Sequence, residues 1–499
     1  MATLTQKTLA GIGWTSLAKG AQAVLQILAL IVLARLLSPE AFGLYSAALV
    51  VGGFCTIFSG LGVSPAIVQR HEIEARHVRC GFTLSVLMGI ATGAAMFLAA
   101  DRIADFFRMP ALADLVRLMA FGFPLQGISA VAESMALRGF RFRGLAVNDA
   151  LSFGFGYVVL APVLTLFDYG VYALAWAYLG QQIVRAVALL LWQPHAKTPW
   201  LDLRTVRELL YFGAGFTIAK TFNYAASQAD NLVVGRWLGA AALGLYAHAY
   251  QLIAAPAQLF GQMLDRVLFP TMASVQFEPH RLARAYTGGV FLCAVVMLPA
   301  GTVIAILAPE IVLLLLGPDW AAVAIPLRIL AFGLLFRTSY KISDTVVRAT
   351  GAVYARAWRQ GVFAAAVFGF ALVGQVWGLR GVAIGTTAAL ALVFLMMAQL
   401  SLRLTGVTWR RFAAAHVPGV VLAGLVGGAC LLTAELVRGA GAGSLAIVMA
   451  ASLVALAIAV VSAVVRPRFF LGPEGERLIM IVGSIMPSPF RRCVEAVRR

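Results

Sequence analysis

Apolar runs long enough to cross a membrane recur along the whole length of this 499-residue chain, and they restrict its fold more than any other feature. A transmembrane α-helix needs about 20 mainly apolar residues to span the ~30 Å hydrocarbon core of a bilayer. Charged residues make up only 12% of the chain, about half of what soluble domains carry, so these runs are not the cores of soluble domains. The sequence therefore predicts an all-α polytopic membrane protein with about 14 transmembrane helices. The predicted spans are 11–33, 41–65, 80–100, 113–136, 145–166, 169–192, 209–235, 241–270, 285–308, 322–347, 361–378, 381–402, 417–437 and 443–465.

The basic residues are divided unequally between alternate loops. One set of loops holds most of the lysine and arginine residues, whereas the other set holds fewer and includes Asp168, Glu310 and Asp319. The positive-inside rule assigns the first set to the cytoplasm, and both termini are then predicted to be cytoplasmic. The net charge of +18 is thus mainly a signal of topology, and we expect no nucleic-acid partner.

Several kinds of chemistry are not expected from this chain. The five cysteines show no paired spacing, which argues against a zinc site or a disulfide framework, and there is no GxxxxGK[ST] nucleotide-binding loop. We therefore expect no catalytic residues, no metal and no bound cofactor. The stretch MATLTQKTLAGIGWTSLAKG lacks the cleavage pattern of a signal peptide, and we interpret it as a retained first helix.

The sequence contains an internal repeat. Residues 34–45, ARLLSPEAFGLY, align without a gap with residues 235–246, GRWLGAAALGLY, at an offset of 201. Each copy contains six predicted spans, and an even number makes the repeat parallel, with its axis along the membrane normal. The predicted organisation is one six-helix lobe followed by a second, then two additional helices and a basic cytoplasmic tail. The corresponding ranges are 1–200, 201–410, 411–465 and 466–499.

Two lysines lie near the middle of predicted spans. A charged residue at the bilayer centre costs about 2.5–3.5 kcal/mol, so a lipid-facing position is unfavourable. Lys19 and Lys220 are equivalent under the repeat, and polar residues follow each of them on one helical face. We expect both faces to line a water-filled cleft between the lobes and to bind substrate, with a buried ion pair inside one lobe as the alternative. The predicted residues are Lys19, Gln22, Gln26, Lys220, Asn223 and Ser227.

A third set of charged residues shares one face of the span 322–347. Arg337, Lys341 and Asp344 are spaced i, i+4 and i+7. Arginine binds phosphate as a fork and lysine binds it as a point charge, so Arg337 and Lys341 are candidate ligands for an anionic substrate. The alternative is that these cations reach the membrane surface or pair with Asp344.

The acidic residues within the predicted spans leave more than one interpretation open. Asp230 lies about 80° from the Lys220 face, and from there it can reach either the cleft edge or a neighbouring helix. Near cytoplasmic helix ends, the favoured interpretation is interfacial residues or local pairs, and this applies to Glu133, Asp149, Arg185, Asp265 and Arg266.

Two hairpin sequences, LARLLSPEAFGLYSAALV and QADNLVVGRWLGAAALGLYAHAYQL, resemble those of bacterial polysaccharide flippases, as does the FP of LFPTMASV at 268–275. These proteins form the colanic-acid and succinoglycan export branch of the multidrug/oligosaccharidyl-lipid/polysaccharide exporter superfamily. The resemblance implies a bacterial inner-membrane protein that moves polyprenyl-diphosphate-linked oligosaccharide repeat units to the periplasmic leaflet by alternating access. It also implies surrounding membrane lipids, a periplasmic-side polysaccharide polymerase as a partner, and coupling to H+ or Na+. Under this interpretation, the diphosphate or acidic sugars are held by Lys19, Lys220, Arg337 and Lys341. Asp230 and Asp344 are the candidate coupling residues.

Three other functions remain open at this stage. An ion-coupled multidrug antiporter shares the two-lobe fold, although a cationic drug would prefer a carboxylate-rich pocket. A lipid II flippase also has about 14 spans, and essentiality of the gene would distinguish it. A membrane-embedded glycosyltransferase or polymerase would need a loop large enough for a sugar-nucleotide site, and none is evident, so we expect a transporter.

Overall fold

The computed structural model describes residues 4–60, 62–70, 72–194, 196 and 198–472, without the side chains of 4–19, 209–216, 218, 219, 222 and 353. Within these ranges the chain forms helices joined by turns, and no strand occurs in them. The α-helices are α1 (Leu4–Leu36), α2 (Pro39–Gly60), α3 (Val63–Gln69), α4 (Ala75–Leu98), α5 (Ala100–Phe107), α6 (Leu112–Ala120), α7 (Gly122–Arg138), α8 (Phe142–Phe153), α9 (Ala161–Leu166), α10 (Tyr172–Trp192), α11 (Leu203–Val233), α12 (Ala240–Ser274), α13 (Pro279–Ile306), α14 (Ala308–Leu315), α15 (Ala324–Phe332), α16 (Leu334–Ala349), α17 (Val353–Gly374), α18 (Gly378–Thr405), α19 (Trp409–Gly439), α20 (Ser444–Val465) and α21 (Pro467–Phe470).

The predicted spans agree with these helices. Each of the 14 falls on one helix or on consecutive helices. In the described part of the chain, 10 helical stretches are long and apolar enough to cross a membrane. These observations confirm the predicted all-α polytopic membrane protein, while the number of crossings stays a prediction.

The chain divides into two units, Met1–Ala247 and His248–Arg499. In the first unit, α4 and α10 pack against α7. In the second unit, α13 packs along α19 and α17 packs along α18, and α19 also contacts α20. The first unit includes α11 and the start of α12, which the repeat assigns to the second lobe. The lobes at 1–200 and 201–410, the additional helices at 411–465 and the tail at 466–499 stay predictions, and residues 473–499 lie outside the described part.

Helices α2 and α12 cross at two glycines of the first unit. A Cβ atom on Gly43 would overlap the carbonyl oxygen of Ala240, and one on Gly244 would overlap the carbonyl oxygen of Pro39. Gly43 and Gly244 are equivalent at the repeat offset of 201, and so are Pro39 and Ala240. The two contacts are therefore copies of each other under the repeat. Small residues allow such close backbone approach between membrane helices. A contact of this kind is expected where the axis of a two-fold repeat passes.

Helix α11, which carries Lys220, has a well-defined start. Asp202 accepts hydrogen bonds from the backbone N–H groups of Thr205 and Arg204, at 3.0 and 3.4 Å, as a helix N-cap. The Thr205 hydroxyl also donates to the Asp202 carboxylate at 2.7 Å. These hydrogen bonds, led by that from the hydroxyl, lower the pKa of Asp202 and keep a negative charge at the helix start.

At least three of the predicted spans contain breaks in the regular helix. A π-helical segment, Gly154–Leu160, joins α8 to α9, and another, Val234–Leu238, follows α11. The span at 322–347 begins in a 3₁₀ segment, Pro318–Val323, and is divided at Gly333 between α15 and α16. Departures of this kind occur frequently at functional sites.

Candidate functional site

Lys220 lies on a polar cavity of about 290 Å³ in the first unit. The cavity is bounded by α2, α3, α7, α10 and α11, and the lysine side chain is exposed to it. Most of the other polar lining residues carry hydroxyl or amide groups, which donate and accept hydrogen bonds. They are Thr56, Ser59, Ser64, Gln126, Ser129 and Thr217.

Two members of an ion triad, Glu133 and Arg185, line the same cavity. Arg185 contacts Glu133 at 2.9 Å and Asp149 at 3.1 Å, so of the two interpretations left open for these residues the structure shows pairs. Both carboxylates are therefore paired with Arg185, and the triad carries one net negative charge. Lys220 has no carboxylate within salt-bridge distance among the described side chains, so it is a cation of this cavity that no salt bridge holds there.

The other residues predicted beside the lysines have different environments. Asn223 is exposed, whereas the Ser227 hydroxyl donates to a carbonyl oxygen three residues earlier on its own helix, at 2.9 Å. On α1, Gln22 is half-buried and Gln26 is exposed. The side chain of Lys19 lies outside the described part of the chain. Asn223 is therefore better placed than Ser227 to meet a ligand.

Two cations occupy adjacent turns of α16 in the second unit. The guanidinium of Arg337 lies over the ring of Tyr250, 4.0 Å from its centroid, in a cation–π contact. Lys341 lies beside Gly261, and a Cβ atom on that glycine would be only 3.6 Å from the lysine Nζ. Like charges at i and i+4 on a helix repel each other. An anion bound by both residues would relieve that repulsion.

Asp344 is held by other arginines. Its carboxylate pairs with Arg356 and lies 3.2 Å from Nε of Arg348. Arg348 also pairs with Asp265, which accepts a hydrogen bond from the Thr345 hydroxyl at 2.8 Å. Asp344 is thus paired with Arg348 and Arg356. Among the described side chains, no salt bridge joins Asp344 to Arg337 or Lys341.

Asp230 lies in the interior of the first unit, where it is only 2% exposed. Its carboxylate accepts hydrogen bonds from the Tyr246 hydroxyl at 2.8 Å and from the backbone N–H of Asn231 at 2.9 Å. The sequence left open whether Asp230 reaches the cleft edge or a neighbouring helix. In the structure its carboxylate contacts a neighbouring helix, α12, through Tyr246. Tyr246 is equivalent to Tyr45 under the repeat, and Tyr45 instead shares a hydrogen bond with Tyr157 at 2.5 Å.

Sequence reasoning missed the neighbours of these cations. Gln126, Glu133 and Arg185 join Lys220 from helices distant in sequence, and Tyr250 meets Arg337 from α12. No local pattern links them, since pairwise contact between helices is a property of the fold. Among the described residues, no group of three or more His, Cys, Asp or Glu side chains could hold a metal ion.

The fold is shared with two solved structures of transporters. The lipid II flippase MurJ in an inward closed conformation matches with a TM-score of 0.73, over 91% of this chain and 98% of that one, at 12% identity. An inward-facing multidrug resistance MATE family transporter of the MOP superfamily matches with a TM-score of 0.61, over 78% and 96%, at 18% identity. The fold therefore defines a polytopic membrane protein of the MurJ and MATE architecture.

The sequence places the chain within a family. The profile of polysaccharide biosynthesis proteins matches residues 32–325, more than half of the chain, and the protein belongs to this family. The succinoglycan biosynthesis transport protein ExoT of Rhizobium meliloti (strain 1021) is 30% identical over 322 residues, which are 64% of this chain and 65% of ExoT. The lipopolysaccharide biosynthesis protein WzxC of Escherichia coli (strain K12) is 27% identical over 410 residues, 77% of this chain and 78% of WzxC. The family resemblance identified in the two hairpins is confirmed.

Proposed function

We propose that this protein is a flippase that moves polyprenyl-diphosphate-linked oligosaccharide repeat units from the cytoplasmic to the periplasmic leaflet by alternating access. The observation that carries the proposal is the pair of cations, Arg337 and Lys341, on adjacent turns of a membrane helix. Family membership and relatives named for succinoglycan transport and lipopolysaccharide biosynthesis support it.

The two cations suit a diphosphate for a chemical reason. The Tyr250 ring orients the Arg337 guanidinium, whose planar N–H groups can bind two phosphate oxygens at once. Lys341 adds a compact charge one turn away. Lys220 supplies a further cation in its own cavity, where the surrounding hydroxyl and amide groups match the hydroxyls of a sugar.

The alternative transporters fit the charges less well. A cationic drug would need an available carboxylate, but Glu133 and Asp149 are paired with Arg185, and Asp344 is paired with arginines. A lipid II flippase has the same fold, yet the family match and the names of the sequence relatives favour polysaccharide export.

The cellular setting follows from the same proposal. The unequal loop charges support a bacterial inner membrane orientation with both termini in the cytoplasm. The translocated repeat unit would pass to a polysaccharide polymerase on the periplasmic side, and the protein itself would act as a transporter rather than an enzyme.

We also propose that transport is coupled to H+ or Na+ through Asp230, since its carboxylate is buried within the first unit and accepts a hydrogen bond from the Tyr246 hydroxyl. Asp344 is a weaker candidate because two arginines hold it.

Asp230→Asn is expected to abolish stimulation of transport by an imposed proton or sodium gradient in proteoliposomes, whereas Tyr246→Phe, which keeps the carboxylate, should retain it. Gradient stimulation of wild-type size in Asp230→Asn would exclude this residue.

Deletion of the gene tests the proposed function directly. We expect a complete polyprenyl-diphosphate-linked repeat unit to accumulate on the cytoplasmic leaflet, with loss of the surface polysaccharide. Mass spectrometry of extracted lipids would identify the glycan, and digestion by a periplasmic enzyme would report its leaflet. Intact polysaccharide with no accumulated intermediate would contradict the proposal and favour the small-molecule antiporter.

A further inference from the structure

An apolar groove of about 420 Å³ lies between α4 and the α6–α7 stretch of the first unit. Ile90, Ala94 and Phe97 form one wall, and Phe121 and Pro124 form the other. Phe97 and Phe121 meet edge to face, with their ring centroids 6.1 Å apart, and are 41% and 59% exposed. Both walls belong to stretches apolar enough to cross a membrane, Ala75–Leu98 and Leu112–Arg138. The groove is therefore open to hydrocarbon.

The groove is separate from the cavity that contains Lys220. On α7, Pro124 lines the groove, whereas Gln126 lines the Lys220 cavity. Two residues correspond to about 200° around a helix, so the two sites lie on opposite faces of α7. A lipid chain in the groove would not lead into the Lys220 cavity, so the groove is not placed to hold the tail of a substrate bound in that cavity.

A charged cluster lies next to one end of the groove. Arg117 pairs with Asp101 at 2.7 Å and with Asp114 at 2.9 Å, and its guanidinium lies 6.0 Å from the Phe97 ring. From this end the groove extends along α4 from Leu98 to Ile90. Eight residues of helix rise about 12 Å, close to half of the ~30 Å hydrocarbon core. The groove thus has the depth of one leaflet, with the charged cluster at the headgroup level.

The charges of the cluster select the headgroup. Asp101 and Asp114 are 69% and 67% exposed, and the one arginine between them leaves an excess of carboxylate. An ammonium group would be attracted to these carboxylates, whereas a phosphate without a cation would be repelled. We propose that the groove binds one acyl chain of a phospholipid with an ammonium headgroup, and that this headgroup lies against Asp101 and Asp114.

Photolabelling of the purified full-length protein in nanodiscs tests this site. The probe is phosphatidylethanolamine with a diazirine in one acyl chain, and labelled peptides are mapped by mass spectrometry. We expect labelling concentrated on residues 90–98 and 120–124, above that of the exposed helix α20. Ala94→Phe fills the groove and is expected to reduce this labelling about fivefold or more. Ala95→Phe is the matched control, because Ala95 is exposed on the same helix but does not line the groove.

The headgroup is tested with the double variant Asp101→Asn/Asp114→Asn. A second probe carries the same diazirine chain on phosphatidylglycerol, which has no ammonium group. In the double variant, labelling by the phosphatidylethanolamine probe should fall toward the level that the phosphatidylglycerol probe gives. Ala94→Leu replaces Ala94→Phe if the larger side chain lowers the thermal unfolding midpoint. Equal labelling of all exposed helices, or labelling unchanged by either Ala94 substitution, would overturn the site. Stronger labelling by a diazirine-tagged polyprenyl phosphate would overturn the assignment of its occupant.

Discussion

Replacing Gly43 or Gly244 by alanine is expected to lower polysaccharide export about tenfold. In the structure, a Cβ atom at either position would overlap a backbone carbonyl oxygen of the facing helix, at Ala240 or Pro39. Backbone cannot rotate away as a side chain can, so the crossing of α2 and α12 must open. Overpacking of this kind costs about 1–3 kcal/mol, and about 1.4 kcal/mol changes a population tenfold. A transporter that must pass through this conformation would then seldom reach it.

Export is measured as surface polysaccharide per cell, with the amount of protein in the membrane and its thermal unfolding midpoint as checks on folding. Gly52→Ala is the matched control on α2, because a Cβ atom there would meet nothing within 4 Å. This control is expected to leave export unchanged. Wild-type export by both Gly43→Ala and Gly244→Ala would show that the close crossing is not needed.

The double variant adds a sharper test. Both glycines lie in one crossing, so the first substitution that opens it removes most of the obstacle to the second. The effects on export are therefore expected to be much less than additive. Additive losses would indicate that the two glycines act in separate contacts, against the symmetric arrangement seen in the structure.

The helices themselves are predictable from the sequence because apolar length is a local property. Each predicted span falls on helix, but the sequence did not indicate the π-helical segment Gly154–Leu160 or the division at Gly333. Such breaks depend on which neighbouring helix supports the backbone. The short helix α5 was also missed, since its eight residues are too few to form a span.

Within the candidate site, only the charged residues that are unfavourable in a membrane helix can be predicted from the sequence. Lys220, Arg337 and Lys341 stand out because charged residues in membrane helices are unfavourable without a role. Their neighbours do not stand out: Glu133 and Tyr250 have ordinary sequence surroundings and reach the cations through helix packing. The pairing of Asp344 with Arg356, from the next helix, has the same explanation.

Loss of positive charge on α16 is expected to reduce export strongly. Arg337→Gln and Lys341→Gln should each lower export about tenfold or more, because a hydrogen bond to a charged group contributes about 1.5–3 kcal/mol. Arg337→Lys keeps the charge but loses the planar fork and its stacking on Tyr250, so we expect an intermediate loss. Tyr250→Leu should resemble Arg337→Lys, since it leaves the guanidinium charged but less well oriented.

The control for charge alone is Arg411→Gln, an exposed arginine on α19. It removes one positive charge without touching α16, and export should stay at the wild-type level. Rates are compared in proteoliposomes that contain a polyprenyl-diphosphate-linked saccharide, and protein levels and unfolding midpoints are measured for every variant. If Arg337→Gln and Lys341→Gln fold normally and transport at the wild-type rate, the two cations do not bind the diphosphate. If Arg411→Gln is as impaired as they are, the effect belongs to the overall charge of the protein and not to the geometry of α16.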